Sequence, residues 1–497
     1  MNQRELLEDA SFGQRVAEDE IRELSEYFVE TSQWKRLYAG ERDIVLGPKG
    51  AGKSALYSLV LQKAEELLSR NILVVPAENP EGTPVFQSVA ADPPTSEHEF
   101  EGLWKLYFLS LIADVLGDWG VDSPSAREVY GALEDAHVLE RKASLSRRLQ
   151  AVREYVKRFF EAKSVEATLN LDPGTGAVTG MTGKITLGEP SVAQAKEGFI
   201  SLDELLDKAD RAMDELNFEV WIVLDRLDVA FARDENLERN ALRALFAAYL
   251  DMKKLQRVSL KIFLRSDIWD RVTEGKFAEA SHINEEVIEW EAQGLRQLML
   301  RRILRNQGIA EFYDVDPESV FASVEKQQAL VARLFPDQID AGKNPKTFDW
   351  MLTRTQDGVG KPAPRELIHL LASLRDRQIR RLELGHDPPP GENLFERTIF
   401  KEALKDVSEV RLKKTLYAEY PDLKPYIEAL REQKAQQSLP TLSALWDVPE
   451  AEARQIATRL VAVGFFERRG DKANPDYWVP FLYRDSLELV MGEAKVR

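Results

Sequence analysis

The 497-residue chain has no cysteine. That excludes a disulfide framework, a thiol nucleophile and every thiolate metal site. Histidine is scarce. The five residues, His98, His137, His282, His369 and His386, include no pair at the i, i+4 spacing of zinc ligands. No apolar run approaches the roughly 18 residues a bilayer span requires, and the opening Met1–Ala10 is polar and acidic, unlike an export signal. The expectation is a soluble, cytoplasmic protein with no membrane partner. Positive charge is also in deficit: 67 basic against 84 acidic residues leave a net charge of −17. Such a chain repels nucleic acid as a whole, so any DNA contact has to come from a local basic patch. Apolar content of 44% and charged content of 30% are ordinary and rule out wholesale disorder. At roughly 150 residues per domain, two to four domains are expected.

Short apolar runs alternate with amphipathic stretches through the first 290 residues. Asp43–Leu46, Asn71–Val75, Val220–Leu224, Leu260–Leu264 and Glu286–Trp290 read as strands. Helical patterns cover 1–40, Ser54–Leu68, Phe100–Leu116, Ala126–Phe160 and 201–217. Strands alternating with helices predict a parallel α/β sheet with helices on both faces. Val165–Leu187 alternates around Pro173-Gly174 and reads as a hairpin-like insertion. Beyond 291 the pattern is helical to about 433, interrupted by the loop Pro388–Gly391.

The residues that carry chemistry begin at Gly47. Gly47-Pro48-Lys49-Gly50-Ala51-Gly52-Lys53-Ser54 matches G-x-x-x-x-G-K-[ST] in full, with a strand before it and a helix after it. Glycines let the loop's N–H groups face phosphates, and the helix N-terminus adds its positive dipole end. In this reading Lys53 reaches the β and γ phosphates of ATP and the Ser54 hydroxyl ligates Mg²⁺. Gly47 to Ala55 is thus the candidate nucleotide-binding segment. A second metal carboxylate is expected at the tip of a neighbouring strand, and Asp225, closing Trp221-Ile-Val-Leu224, supplies it.

On these motifs the chain resembles the AAA+ and STAND branch of P-loop ATPases, over about 1–90, 218–300 and the carboxy-terminus. Asp225-Arg226-Leu227-Asp228 is similar to their D-x-x-D second nucleotide motif. Most such proteins carry Glu directly after the metal Asp, to orient the attacking water. Here Arg226 stands there, which implies slow hydrolysis, with Asp228 or Glu78 as the substitute carboxylate. Arg265, at the end of the fourth strand, resembles the γ-phosphate sensor of the branch. Arg365 in Pro364-Arg-Glu-Leu-Ile368 is similar to the second sensor of an AAA+ lid. A guanidinium at Arg365 would swing with the lid and report the γ-phosphate. Both arginines have local salt bridges as the alternative. Phe12-Gly13, Ala17–Glu20 and Tyr27–Thr31 resemble a poorly characterised bacterial group linked to regulation and antiphage defence.

The last 60 residues form a separate unit. Leu439–Val448 and Glu450–Phe465 read as helices, and Phe465–Gly470 with Tyr477–Pro480 as two extended arms. Helix, helix and two-stranded wing is the winged-helix order. Arg454, Arg459, Arg468, Arg469 and Lys472 give it local positive charge, interspersed with Glu450, Glu452, Glu467, Asp471 and Asp476. Packing as a lid or protein interface is weighed against DNA binding. The run Arg375–Arg381 reads as a solvated helix face.

The expected organisation is therefore an α/β fold built on a P-loop parallel sheet. A helical segment at 1–40 precedes the ATPase core at 41–290, which carries an insertion at about 95–200. An all-α lid at 291–433 and a winged helix at 434–497 follow. Two activities compete. One is an ATP-dependent regulatory switch acting on itself or on an effector protein. The other is a DNA motor or loader with fingers drawn from Arg233, Arg239 and Arg243.

Overall fold

The computed structural model describes residues 3–13, 20, 23–79, 84–91, 93–140, 142–169, 184–230, 234–274, 283–471 and 474–495. They group into two compact units. One comprises 32–47 and 53–287; the other comprises 1–31, 48–52 and 288–497. The fold class is the expected one: a parallel α/β sheet, a run of helices and a carboxy-terminal winged helix.

The unit holding 53–287 is built on five strands. These are β1 (Ile44–Gly47), β2 (Ile72–Pro76), β3 (Glu219–Leu224), β4 (Val258–Arg265) and β5 (Glu285–Val287). Their order is β2-β3-β4-β1-β5, and every pairing is parallel. Continuous apolar text such as Ile44-Val-Leu46 and Val220–Leu224 suits strands buried on both faces, and these residues are buried. Asp225 follows β3, which is not the immediate neighbour of β1, because β4 stands between them.

Helix α1 (Lys53–Gln62) follows the phosphate-loop motif, with the short Ala64–Leu68 helix after it in place of one helix to Leu68. The insertion is mainly helical. Its Glu97–Asp118 helix is capped by Ser96, whose side chain accepts from the Glu99 N–H. That helix is apolar nearly all round and runs through the unit's core. The stretch expected as one helix over Ala126–Phe160 is two, Pro124–Asp135 and Leu145–Leu169, with His137 in a left-handed turn between them (φ 56°). Of the expected hairpin, 165–169 continue the second of these helices and 170–183 lie outside the described residues. Ile185–Thr186 pairs in parallel with Ile200–Ser201.

The other unit has its own core. Residues 1–40, expected as one helical segment, include among the described residues separate helices at Gln3–Asp9, Leu24–Glu26 and Ser32–Tyr38, the last of these in the sheet unit. Side chains rather than helical hydrogen bonds tether the intervening chain. Buried Glu20 forms an ion pair with Arg302 at 2.8 Å, and Arg302 also donates to the Phe12 carbonyl at 2.9 Å. Gly13 (φ 86°) is required here, since a Cβ would fall 1.8 Å from the Arg302 guanidinium. Residues 14–19, 21 and 22 of the quoted segment lie outside the described residues.

Helices fill 292–428, among them α2 (Pro364–Glu383) and α3 (Ile399–Arg411). The Arg375–Arg381 run is largely tied internally. Arg375 donates to the Leu7 and Glu8 carbonyls, Arg377 pairs with Glu402 and Asp406, and Arg381 with Glu396. The winged helix consists of strand Lys434–Ser438, helices Leu439–Trp446 and Glu450–Ala462, and antiparallel arms Glu467–Gly470 and Pro475–Trp478. A final strand, Val490–Glu493, pairs in parallel with Lys434–Ser438.

Candidate functional site

In an open parallel sheet, ligands bind beyond the carboxyl ends of the strands. Gly47, Glu78, Asp225 and Arg265 all stand at or just past those ends. Register makes the arrangement specific: Gly47 is the partner of Arg265, and Leu46 that of Leu264.

Lys53 and Ser54 open α1, with Ala55 next. Lys53 Nζ donates to the Gly47 carbonyl at 2.8 Å, folding back over the loop. Burial lowers its ammonium to about 8, while Asp228 and then Asp225 oppose that shift. Ser54 hydrogen-bonds to the Asp225 carboxylate. Asp225 is buried, and burial pushes its carboxyl up to about 6 against the Arg226 N–H and the Ser54 hydroxyl. Its Oδ2 has no hydrogen-bond partner. A buried carboxylate oxygen left in this state is costly unless a cation or donor meets it. Ser54 and Asp225 together are an all-oxygen pair of the kind Mg²⁺ takes. The residues present therefore fit the metal.

The loop itself is ordered by two left-handed glycines, Gly50 (φ 85°) and Gly52 (φ 100°), and by a turn in which the Ala51 N–H donates to the Pro48 carbonyl at 3.2 Å. Residues 48–52 group with the unit that contains 288–497, and within it four side chains border them. Lys49 forms an ion pair with Glu419, Trp290 Nε1 donates to the Ala51 carbonyl at 2.8 Å, and Arg365 and Glu366 flank Gly50. Trp290, Glu366 and Glu419 had no motif to mark them as loop partners. The only sequence signal is that Glu366 adjoins Arg365.

Asp228 and Arg265 come together. Arg265 makes two bonds to Asp267 (Nε–Oδ1 3.0 Å, Nη2–Oδ2 2.8 Å), and its Nη1 lies 3.6 Å from Asp228 Oδ2. Burial would raise Asp267, but Arg265 overrules it and holds the carboxyl below its usual range. A further buried carboxylate, Glu238, pairs with Arg271 at 2.6 Å and borders the same charge cluster. The local salt bridge weighed for Arg265 is thus formed, with Asp267 as partner.

Glu78 is differently occupied. Its Oε1 accepts from the Asn79 and Val85 N–H groups, both at 2.7 Å, and closes the loop after β2. Its Oε2 is buried with no hydrogen-bond partner, and burial raises the carboxyl to about 7. Arg226, in the position usually held by Glu, takes a left-handed conformation (φ 59°) that is costly for a residue with a Cβ. That turn sends its guanidinium to the Asn79 carbonyl at 3.3 Å, so Arg226 braces the Glu78 loop.

Of the three finger candidates, Arg243 donates to the Val272 and Glu274 carbonyls and caps the Ser266–Thr273 helix. Arg239 bonds Asn236 locally at 2.7 Å, and Arg233 lies outside the described residues. In the winged helix Arg459 pairs with Asp422 and Arg469 with Glu467, while Lys472 lies outside the described residues. Among the described residues, no helix is long and apolar enough to cross a membrane.

No family model matches the chain, and no curated protein matches it. Among solved structures it is similar to the Aeropyrum pernix ORC2 protein, determined in ADPNP–ADP complexes. The match has a TM-score of 0.29 and 12% identity, over 92% of this chain and 90% of that one. A likeness that distant carries no assignment of function. The residues themselves place a complete G-x-x-x-x-G-K-[ST] motif at the carboxyl end of a parallel α/β sheet, beside the buried carboxylate of Asp225.

Proposed function

We propose that the chain binds ATP with Mg²⁺ through Gly47–Ala55 and Asp225, hydrolyses it slowly, and acts as a nucleotide-dependent regulatory switch. The observation that carries the reading is the Ser54–Asp225 pair. A buried carboxylate with one unpartnered oxygen stands beside the hydroxyl of a complete phosphate-loop motif. Lys53 supplies the point charge for the β and γ phosphates, and the loop N–H groups supply directional donors. Ser54 and Asp225 would hold Mg²⁺, which would supply positive charge to offset that of the phosphates.

Slow turnover is supported by Arg226. Where a water-orienting Glu would stand, this side chain braces a neighbouring loop instead. A long-lived ATP state suits a switch, whose bound form has to persist until a partner reads it. In this reading Arg265 and Arg365 sense the γ-phosphate, and the partner is a second copy or an effector protein. Resemblance of the amino-terminal segment to defence-linked regulators supports assigning the switch to bacterial antiphage defence. The alternative is a DNA motor or loader using the winged helix. Internal pairing of Arg459 and Arg469, together with the net charge of −17, favours a protein contact instead.

The test is Asp225→Asn. ATP affinity in EDTA should be unchanged, while the increment added by Mg²⁺ falls, because the amide cannot offer the metal a charged oxygen. Identical Mg²⁺ dependence in variant and parent would remove Asp225 from the site.

A further inference from the structure

One cluster of buried charge outside the nucleotide residues surrounds Arg411, the last residue of α3, which is 8% exposed. Its Nη1 donates to Glu366 Oε1 at 3.1 Å and its Nη2 to Asp357 Oδ2 at 3.2 Å. Its Nε donates to the Tyr483 phenol oxygen at 3.4 Å. A guanidinium held by two carboxylates is a directional junction, since its planar fork fixes the angle between its partners.

The partners lead in opposite directions. Glu366 faces the phosphate loop: a Cβ on Gly50 would lie 3.3 Å from its Oε2 and 3.1 Å from the Arg365 Cβ. Asp357 faces the winged helix, where a Cβ on Gly464 would lie 3.0 Å from its Cγ and Oδ2. The Gly358 N–H donates to the Gly464 carbonyl at 2.7 Å. A Cβ on Gly358 would fall 2.3 Å from the Phe466 carbonyl oxygen, which is backbone and cannot swing away. The 357–358 backbone is therefore seated directly on that of 464–466. Tyr483, from the helix Phe481–Arg484, closes the junction on the same side.

The chain changes helical type at this junction. Leu412–Leu416 is a π-helix starting immediately after Arg411, and Tyr417–Glu419 returns to α. Single π turns inside α-helices recur at functional sites because they re-aim side chains at a cost in packing. Here Glu419, just past the π turn, reaches Lys49 of the phosphate loop. A polar cavity of about 140 Å³ lies here, lined by residues including Lys49, Arg365, His369 and Lys414.

We propose that Glu366, Arg411 and Asp357 are positioning residues that fix the phosphate loop at Gly50 and couple its conformation to the winged helix. Displacement at Gly50 moves Glu366, Arg411 redistributes its bonds between the two carboxylates, and Asp357 carries the change to Gly464. In function this rests on the nucleotide reading, since ATP would be what displaces the loop. The coupling itself needs no nucleotide.

Hydrogen exchange on the full chain without nucleotide tests it. Glu366→Gln keeps the side-chain shape but weakens the loop-side arm. It should raise exchange of the 464–466 and 481–484 amides at least about threefold, if breaking the arm shifts a local opening equilibrium. In an Asp357→Asn background the same substitution should change those amides by much less, because the relay is already cut. Asp357→Asn should reciprocally raise exchange in 48–52. Equal responses in both backgrounds, or none at 464–484 in either, would overturn the relay. Arg411→Lys is the second variant: it retains the charge but not the fork, and should behave as a cut relay. ATP calorimetry on the unaltered chain separately decides the nucleotide reading, so either idea can fail without the other.

Discussion

Gly47 and Arg265 pair directly in the parallel register of β1 and β4. The residue that opens the phosphate loop is therefore the strand neighbour of the candidate sensor. Asp267 holds two nitrogens of Arg265, and the third lies toward Asp228 at 3.6 Å. That third nitrogen is the one a phosphate could compete for, since a developing negative charge outbids a loosely held carboxylate.

Arg265→Lys should thus keep ATP affinity within about threefold while lowering turnover about tenfold or more, as expected for a group used in the transition state. Single-turnover phosphate release beside calorimetry checks the split. Loss of affinity equal to the loss of rate would make Arg265 a ground-state binding residue.

Basal hydrolysis should be well below about 10 s⁻¹, the median for enzymes. Asp228 borders Lys53, Asp225 and Arg265, whereas Glu78 Oε1 is committed to two backbone N–H groups. Asp228→Ala should reduce steady-state phosphate release at saturating ATP and preserve binding. Glu78→Ala is the parallel control for the rival base. Rapid turnover untouched by Asp228→Ala would contradict both the slow switch and this residue's role.

Much of this was legible because chemistry at a phosphate loop is local in sequence. Gly47–Ser54 and the apolar strand ending at Asp225 announce themselves, as do the wing's paired helices. What escaped detection is held by partners distant in the chain. Lys434-Ala-Gln-Gln-Ser438 is too polar to read as a strand, yet it pairs with both Pro475–Trp478 and Val490–Glu493. Arg411 looks like any helix-end arginine until the fold sets Glu366 and Asp357 on either side of it. The break at His137 was equally hidden, because a left-handed non-glycine residue leaves no compositional mark. The separation of β1 from β3 by β4 follows from sheet order, which periodicity does not encode.

Glu78 makes a prediction about stability that is independent of turnover. Burial raises its carboxyl to about 7 in the folded chain, from near 4.5. A carboxyl raised on folding favours the folded state while it is protonated. That contribution is complete below about pH 4.5 and is lost as pH rises through about 7. Glu78→Gln keeps an oxygen for the Asn79 and Val85 N–H groups but cannot ionise. The variant should gain stability relative to the parent between pH 4.5 and 8, by up to ~3 kcal/mol. Urea unfolding at both ends of that range measures the difference. A pH-independent difference would mean that Glu78 ionises normally in the folded state.

In the proposed site Gly47–Ser54 holds the phosphates of ATP, with Lys53 as their point charge. Calorimetric titration of ATP and Mg²⁺ into the unaltered chain and into Lys53→Ala tests it most directly. A charge-assisted contact contributes roughly 1.5–3 kcal/mol, which corresponds to about a ten- to hundredfold loss of affinity. Saturable binding to the unaltered chain and that loss in the variant are expected, with circular dichroism unchanged between them. Equal affinity in the two proteins, or no binding to either, would contradict it.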